Sequence, residues 1–220
     1  MMRFEGVSYG YHPGLPLALQ EVSLDITKGG ITAVLGPNGA GKTTFCRRLM
    51  EMSGAAGWDV AGLLSAPRYE REVKTGIQIL DLRGGVSRLM ASTRQNEVEG
   101  FRFCGWTFSE AALAWGNEIL RRATPCDLLI VDEVGPLEFD AGSGMTACFQ
   151  ELESEAYCLA IAVVRPAYED RFRQSWKGSV TITISSPEQA LKLADARFAE
   201  FQRPIRNPSP KAPRLRDQKT

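Results

Sequence analysis

Apolar residues come in short runs separated by turn-forming residues. Val22-Ser23-Leu24-Asp25-Ile26 alternates apolar and polar side chains, the period of a half-exposed strand. Lys28-Gly29-Gly30 turns the chain into Ile31 to Leu35, a short apolar run that predicts a strand buried on both faces. A glycine-rich loop follows, then a helix over about 42–51. Val60 to Ser65 is another apolar run, and Gly76 to Leu82 alternates again before the Gly84-Gly85 turn. Ser109 suits a helix N-cap for Glu110 to Ala123, which ends in Arg121-Arg122 and is stopped by Pro125. Leu128 to Val131, Leu159 to Val164 and Val180 to Ile184 predict three more strands. Ser186-Pro187-Glu188 opens a last helix, with Ser186 as cap and Pro187 in the first helical position. Strands alternating with helices predict an α/β fold with a mostly parallel sheet flanked by helices.

Residues 1–202 read as a single domain. From Arg203 to Thr220 the chain holds four of its twelve prolines, six Lys or Arg and one acid, a composition that cannot bury a core and predicts a disordered tail. Of the 220 residues, 44% are hydrophobic and 24% charged, which is ordinary for a globular domain. Lys plus Arg balances Asp plus Glu at 26 each, so charge gives no support for a nucleic-acid partner. The longest apolar run, Tyr157 to Val164, is far shorter than a membrane span, and Met1-Met2-Arg3-Phe4-Glu5 lacks the apolar region of a signal peptide. The expected compartment is the cytoplasm. Cys46, Cys104, Cys126, Cys148 and Cys158 form no C-x-x-C pair and read as reduced thiols. With His12 the only histidine, no zinc site is expected.

The chemistry concentrates in two places. Gly36-Pro37-Asn38-Gly39-Ala40-Gly41-Lys42-Thr43 fits the phosphate-loop pattern G-x-x-x-x-G-K-[ST], between a predicted strand and a predicted helix. Glycines let the backbone curl so that several N–H groups meet one phosphate, and the helix beginning at Lys42 adds its positive end. Lys42 supplies a mobile charge for the β- and γ-phosphates, Thr43 a hydroxyl for Mg²⁺, and Thr44 a further phosphate contact. The second place is Leu128-Leu129-Ile130-Val131-Asp132-Glu133, where a buried strand delivers two carboxylates to its C-terminal end. Asp132 is expected to bind Mg²⁺, through a water, and Glu133 to orient and deprotonate an attacking water. Glu138, five residues on, fits either a supporting role or a helix start. Arg165, which follows a predicted strand, suits either a charge for the γ-phosphate or an exposed position before Pro166.

Two resemblances follow from these residues. Phe4-Glu5-Gly6-Val7-Ser8-Tyr9-Gly10-Tyr11, the strand at 22–26 and GPNGAGKTT resemble the start of an ATP-binding cassette ATPase. That likeness implies a small antiparallel β element over 1–30, with Tyr11 stacked on adenine. No LSGGQ-type signature precedes the acidic pair, Leu82-Arg83-Gly84-Gly85-Val86 being a poor substitute, and no histidine follows it.

From Gly57 to about Ile184 the chain is similar to the nucleoside-triphosphatase family first known from thermophiles and also called cancer-related NTPases. The likeness lies in Ala61-Gly62-Leu63-Leu64-Ser65, Gly76 to Leu82, Phe108 before a helix, and above all DEVGPLEF from Asp132 to Phe139. It implies a RecA-like P-loop core and slow hydrolysis of several nucleoside triphosphates. By the same likeness Glu133 is the catalytic acid and Glu138 joins the site. The expectation is a Mg²⁺-dependent triphosphatase acting on ATP or other NTPs, with homo-oligomerisation open. An ATP-binding subunit with a membrane transporter as partner, and a nucleotide switch or small-molecule kinase, are the alternatives.

Overall fold

A computed structural model describes residues 2–9, 19–26, 29–94 and 96–201. Tyr11 and the segment 203–220 lie outside them. Two strands, β1 (Met2–Tyr9) and β2 (Leu19–Ile26), form an antiparallel pair of their own, in register from Met2 opposite Ile26 to Tyr9 opposite Leu19. This is the small N-terminal element expected of the first thirty residues.

The main sheet has nine strands. Five of them are parallel: β3 (Gly30–Leu35), β4 (Val60–Glu70), β9 (Cys126–Val134), β10 (Tyr157–Val164) and β11 (Val180–Thr183). The other four, β5 (Val73–Asp81), β6 (Ser87–Ser92), β7 (Gly100–Phe103) and β8 (Trp106–Ser109), extend one edge in antiparallel fashion. The order across the sheet is β11-β3-β10-β9-β4-β5-β6-β8-β7. The parallel strands are apolar on both faces because helices cover both, as such strands require. On one face Leu63, Leu129 and Val131 pack with Leu113 and Leu120 of α2 (Glu110–Leu120), and with Cys148 and Leu152, which α4 (Ala147–Glu153) carries. On the other, Leu128, Ile130 and Ile161 pack with Phe45 and Leu49 of α1 (Lys42–Ala55), and with Ala190 and Ala194, which α6 (Pro187–Phe201) carries. Each such Leu or Ile contributes about 1.5–3 kcal/mol on burial.

The predicted caps form. Ser109 accepts from the Ala112 amide at 3.2 Å and Ser186 from the Gln189 amide at 3.2 Å. Several elements exceed or escape the hydropathy reading. Strand β4 runs five residues past Ser65, α1 reaches Ala55, and α2 stops at Leu120. Strands β6, β7 and β8 and the short helices α3 (Pro136–Phe139), α4 and α5 (Glu169–Ser175) had no counterpart in it. Arg83, in the glycine-rich turn after β5, is bound by Asp59 at 2.7 Å and by the carbonyls of Arg122 and Ala123 at 2.8 and 3.0 Å. Asp59 precedes β4, so this clasp ties the end of α2 to the amino-terminal edge of the parallel strands. The phosphate-loop sequence leaves β3 at the opposite edge.

Candidate active site

The loop between β3 and α1 takes its shape from glycines in left-handed backbone. Gly36, Gly39 and Gly41 have φ of 147°, 80° and 98°. Two of them are also packed too closely for a side chain: a Cβ on Gly36 would collide with the Ile184 carbonyl, and one on Gly41 would lie 2.8 Å from Pro187 Cα. Pro37, Asn38 and Gly39 form the exposed crown of the loop, and Ala40 is buried beneath it. Lys42 folds back over the crown, its ammonium donating to the Gly36 and Pro37 carbonyls at 2.8 and 2.9 Å. Partial burial lowers its pKa, and the nearby Glu133 and Asp132 charges oppose that shift. Thr44 is exposed on the first turn of α1.

Asp132 stands across from Thr43. Its Oδ2 accepts from the Thr43 hydroxyl at 3.2 Å and from the Ser65 amide at 3.1 Å. It is almost fully buried, and burial pushes its carboxyl up to about 7, with Glu133 adding to the shift and the Ser65 and Thr43 bonds opposing it. A buried carboxylate and a hydroxyl on one spot form the hard-oxygen donor set that Mg²⁺ takes.

Glu133 lies within β9 but interrupts its regular pairing. Ala162 of β10 faces Val131 and Val164 faces Val134, so β9 carries one extra residue in that interval, a β-bulge. Glu133 is left in the left-handed region at φ 73°, which costs a side chain about 1 kcal/mol. Arg165 follows β10, donates its amide to the Val134 carbonyl at 3.1 Å, and places a guanidinium nitrogen 3.3 Å from the Glu133 carboxylate. Gly135 gives this arginine its path: a Cβ there would sit 3.2 Å from Arg165 Cγ. A cavity of about 190 Å³ is bounded by Gly36, Pro37, Asn38, Lys42, Glu133 and Arg165. A larger one, about 310 Å³, lies around Gly62, Asp81 and Arg83 at the far edge and touches none of these groups.

The structure therefore brings together Lys42, Thr43, Asp132, Glu133 and Arg165. Glu138 is different. It is buried beneath the turn, with Oε2 accepting from the Gly135 amide at 2.9 Å and Oε1 from the Met145 amide at 3.0 Å. It does not line the cavity, and burial raises its pKa against those two bonds. Sequence reasoning passed over Ser65 and Gly135. Their signals were slight: a polar residue closing an apolar run, and a glycine directly after the acidic strand.

The profile of the NTPase family matches residues 31–190, well over half of the chain. The chain belongs to the NTPase family. It is 30% identical over 143 residues to the nucleoside-triphosphatase THEP1 of Thermococcus kodakarensis, covering 64% of this chain and 78% of that protein. The solution structure of a human cancer-related nucleoside triphosphatase superposes with a TM-score of 0.57 at 19% identity, over 79% of this chain and 97% of that one, which shows the shared P-loop fold. The transporter likeness is smaller. The mycobactin import ATP-binding/permease protein IrtA of Mycolicibacterium smegmatis is 36% identical over 89 residues, 37% of this chain and 10% of that protein. Membership of the NTPase family makes the chain an enzyme of the nucleoside-triphosphate phosphohydrolase class. Among the described residues no helix is long and apolar enough to cross a membrane.

Proposed function

We propose that the chain is a Mg²⁺-dependent nucleoside triphosphatase that hydrolyses ATP and other NTPs to the diphosphate and phosphate. One observation carries this reading: the loop's Thr43 hydroxyl lies 3.2 Å from the buried Asp132 carboxylate, beside a cavity that Lys42 and Glu133 share. Thr43 and Asp132 would hold Mg²⁺, which when bound supplies positive charge against the β- and γ-phosphate oxygens.

The loop amides and the N-terminus of α1 bind the phosphates, with Thr44 at the same first turn. Lys42 exchanges its two loop carbonyls for phosphate oxygens. Glu133 accepts a proton from the attacking water as its oxygen bonds to the γ-phosphorus and the bond to the β-bridging oxygen breaks. Arg165, now paired with Glu133, meets the charge that develops on the γ-phosphoryl oxygens. Base recognition by Tyr11 belongs to the same proposal.

Phosphate release from ATP, GTP, CTP and UTP with and without Mg²⁺ tests it. Release that needs Mg²⁺ supports the reading; no release from protein that binds nucleotide sinks it. The partial match to a transporter ATP-binding protein keeps a second reading, an energising subunit, which co-purification with an integral membrane protein would favour. Phosphate found on a small acceptor instead of in solution would reveal a kinase.

A further inference from the structure

A second buried carboxylate beside Asp132 does not line the cavity. Glu138 lies in the first turn of α3, five residues after Glu133, and is only 5% exposed. Both of its oxygens are taken by backbone amides, at Gly135 and Met145, which suits a carboxylate used as a double acceptor. Gly135 is two residues from the strained Glu133 and forms the floor under the Arg165 stem. On its other side the carboxylate abuts Gly144, where φ is 75° and a Cβ would collide with Oε1. Asn117 of α2 braces that loop in turn: its amide nitrogen donates to the Gly144 carbonyl at 2.7 Å and its oxygen accepts from the Ala147 amide at 2.9 Å. A continuous set of bonds thus runs from a core helix, through the 144–147 segment and Glu138, to the turn that carries Glu133.

We propose that Glu138 is a positioning residue: through the Gly135 amide it fixes the left-handed turn that aims Glu133 and Arg165 into the phosphate cavity. This rests on Glu133 being the base of the proposed hydrolysis. A left-handed glutamate inside a strand carries strain that neighbouring contacts must offset, and the Glu138 carboxylate grips the backbone immediately beyond the bulge, next to the Val134 carbonyl held by the Arg165 amide. In this role Glu138 touches neither nucleotide nor water. Its loss should reduce turnover and leave nucleotide binding alone, because the loop, Lys42 and Thr43 are held by different elements.

A double-mutant cycle tests it with the full chain and MgATP. Glu138→Gln keeps the volume but turns an NH₂ toward one of the two amides. The expected result is a kcat lowered tenfold or more with KM for MgATP within twofold of the parent, and no further loss when the change is added to Glu133→Gln. Multiplicative losses in the double variant, a KM that rises in step with the fall in kcat, or an unchanged kcat overturns the proposal. Full turnover by Glu133→Gln alone overturns the base assignment and this proposal with it, whereas a slow Glu133→Gln with independent Glu138 effects overturns only the positioning role. Should Glu138→Gln not fold, Gly144→Ala, which displaces the carboxylate without removing it, must give the same fall in kcat at constant KM; if it does not, the proposal fails.

Discussion

The two halves of the site are built on left-handed backbone in opposite ways. In the phosphate loop the left-handed positions belong to Gly36, Gly39 and Gly41, which pay no steric penalty there. At the end of β9 the left-handed position belongs to Glu133, which does. The loop therefore stores no dihedral strain at these positions. The acidic turn keeps its shape because Arg165, Gly135 and Glu138 surround it. Glycines spare the loop the strain of its backbone, whereas the acidic turn carries strain that its tertiary contacts hold in place.

Substitutions can break that contrast. The largest effects fall on function. Lys42→Ala should abolish nucleotide binding or turnover, as read by titration with a fluorescent nucleotide and by phosphate release. Glu133→Gln should keep binding and slow hydrolysis about a hundredfold or more, the scale of a lost general base. Equal damage to binding in both variants would mean that the two halves are not separate.

A stability effect comes next. The Asp132 carboxyl is ordinarily near 3.8 and is pushed up to about 7 in the fold. Ionisation therefore favours unfolding. Stability present at pH below 3.8 is lost as pH rises toward 7, by about 1.4 kcal/mol per pH unit where the slope is steepest. Chemical denaturation of Mg²⁺-free protein across that window should show the decline, and Asp132→Asn should flatten it.

The smallest effects are the sharpest test of the contrast itself. Glu133→Gly should be more stable than Glu133→Ala by about 1 kcal/mol, because glycine accepts φ 73° freely. Gly39→Ala, at an open position with φ 80°, should cost about 1 kcal/mol with no clash to add to it. Melting curves of the three variants decide whether strain sits where the dihedral angles put it.

The same contrast explains what was legible in advance. Strands β3, β9 and β10 announce themselves because burial on both faces favours apolar runs, most fully in Tyr157 to Val164. The phosphate loop announces itself because its conformation demands glycines. The bulge at Glu133 does not, because no glycine or asparagine marks it and its cause lies in residues far along the chain. Strands β7 and β8, at four residues each, are too short and too partly exposed to show a period, and α3 has only four residues. Glu138 was legible as an acid near the site, and its partners, Gly135 and Met145, were not.

Gly36 and Gly41 press their bare backbones against Ile184 and Pro187, and the Ile184 amide donates to the Leu35 carbonyl at 2.8 Å. The last strand and helix are thus a back plate against which the loop is mounted. Occupancy of the loop should then be felt near the carboxyl end of the described residues: the Ile184 amide should exchange with deuterated solvent more slowly when nucleotide is bound, although none of the described residues beyond β11 lines the cavity.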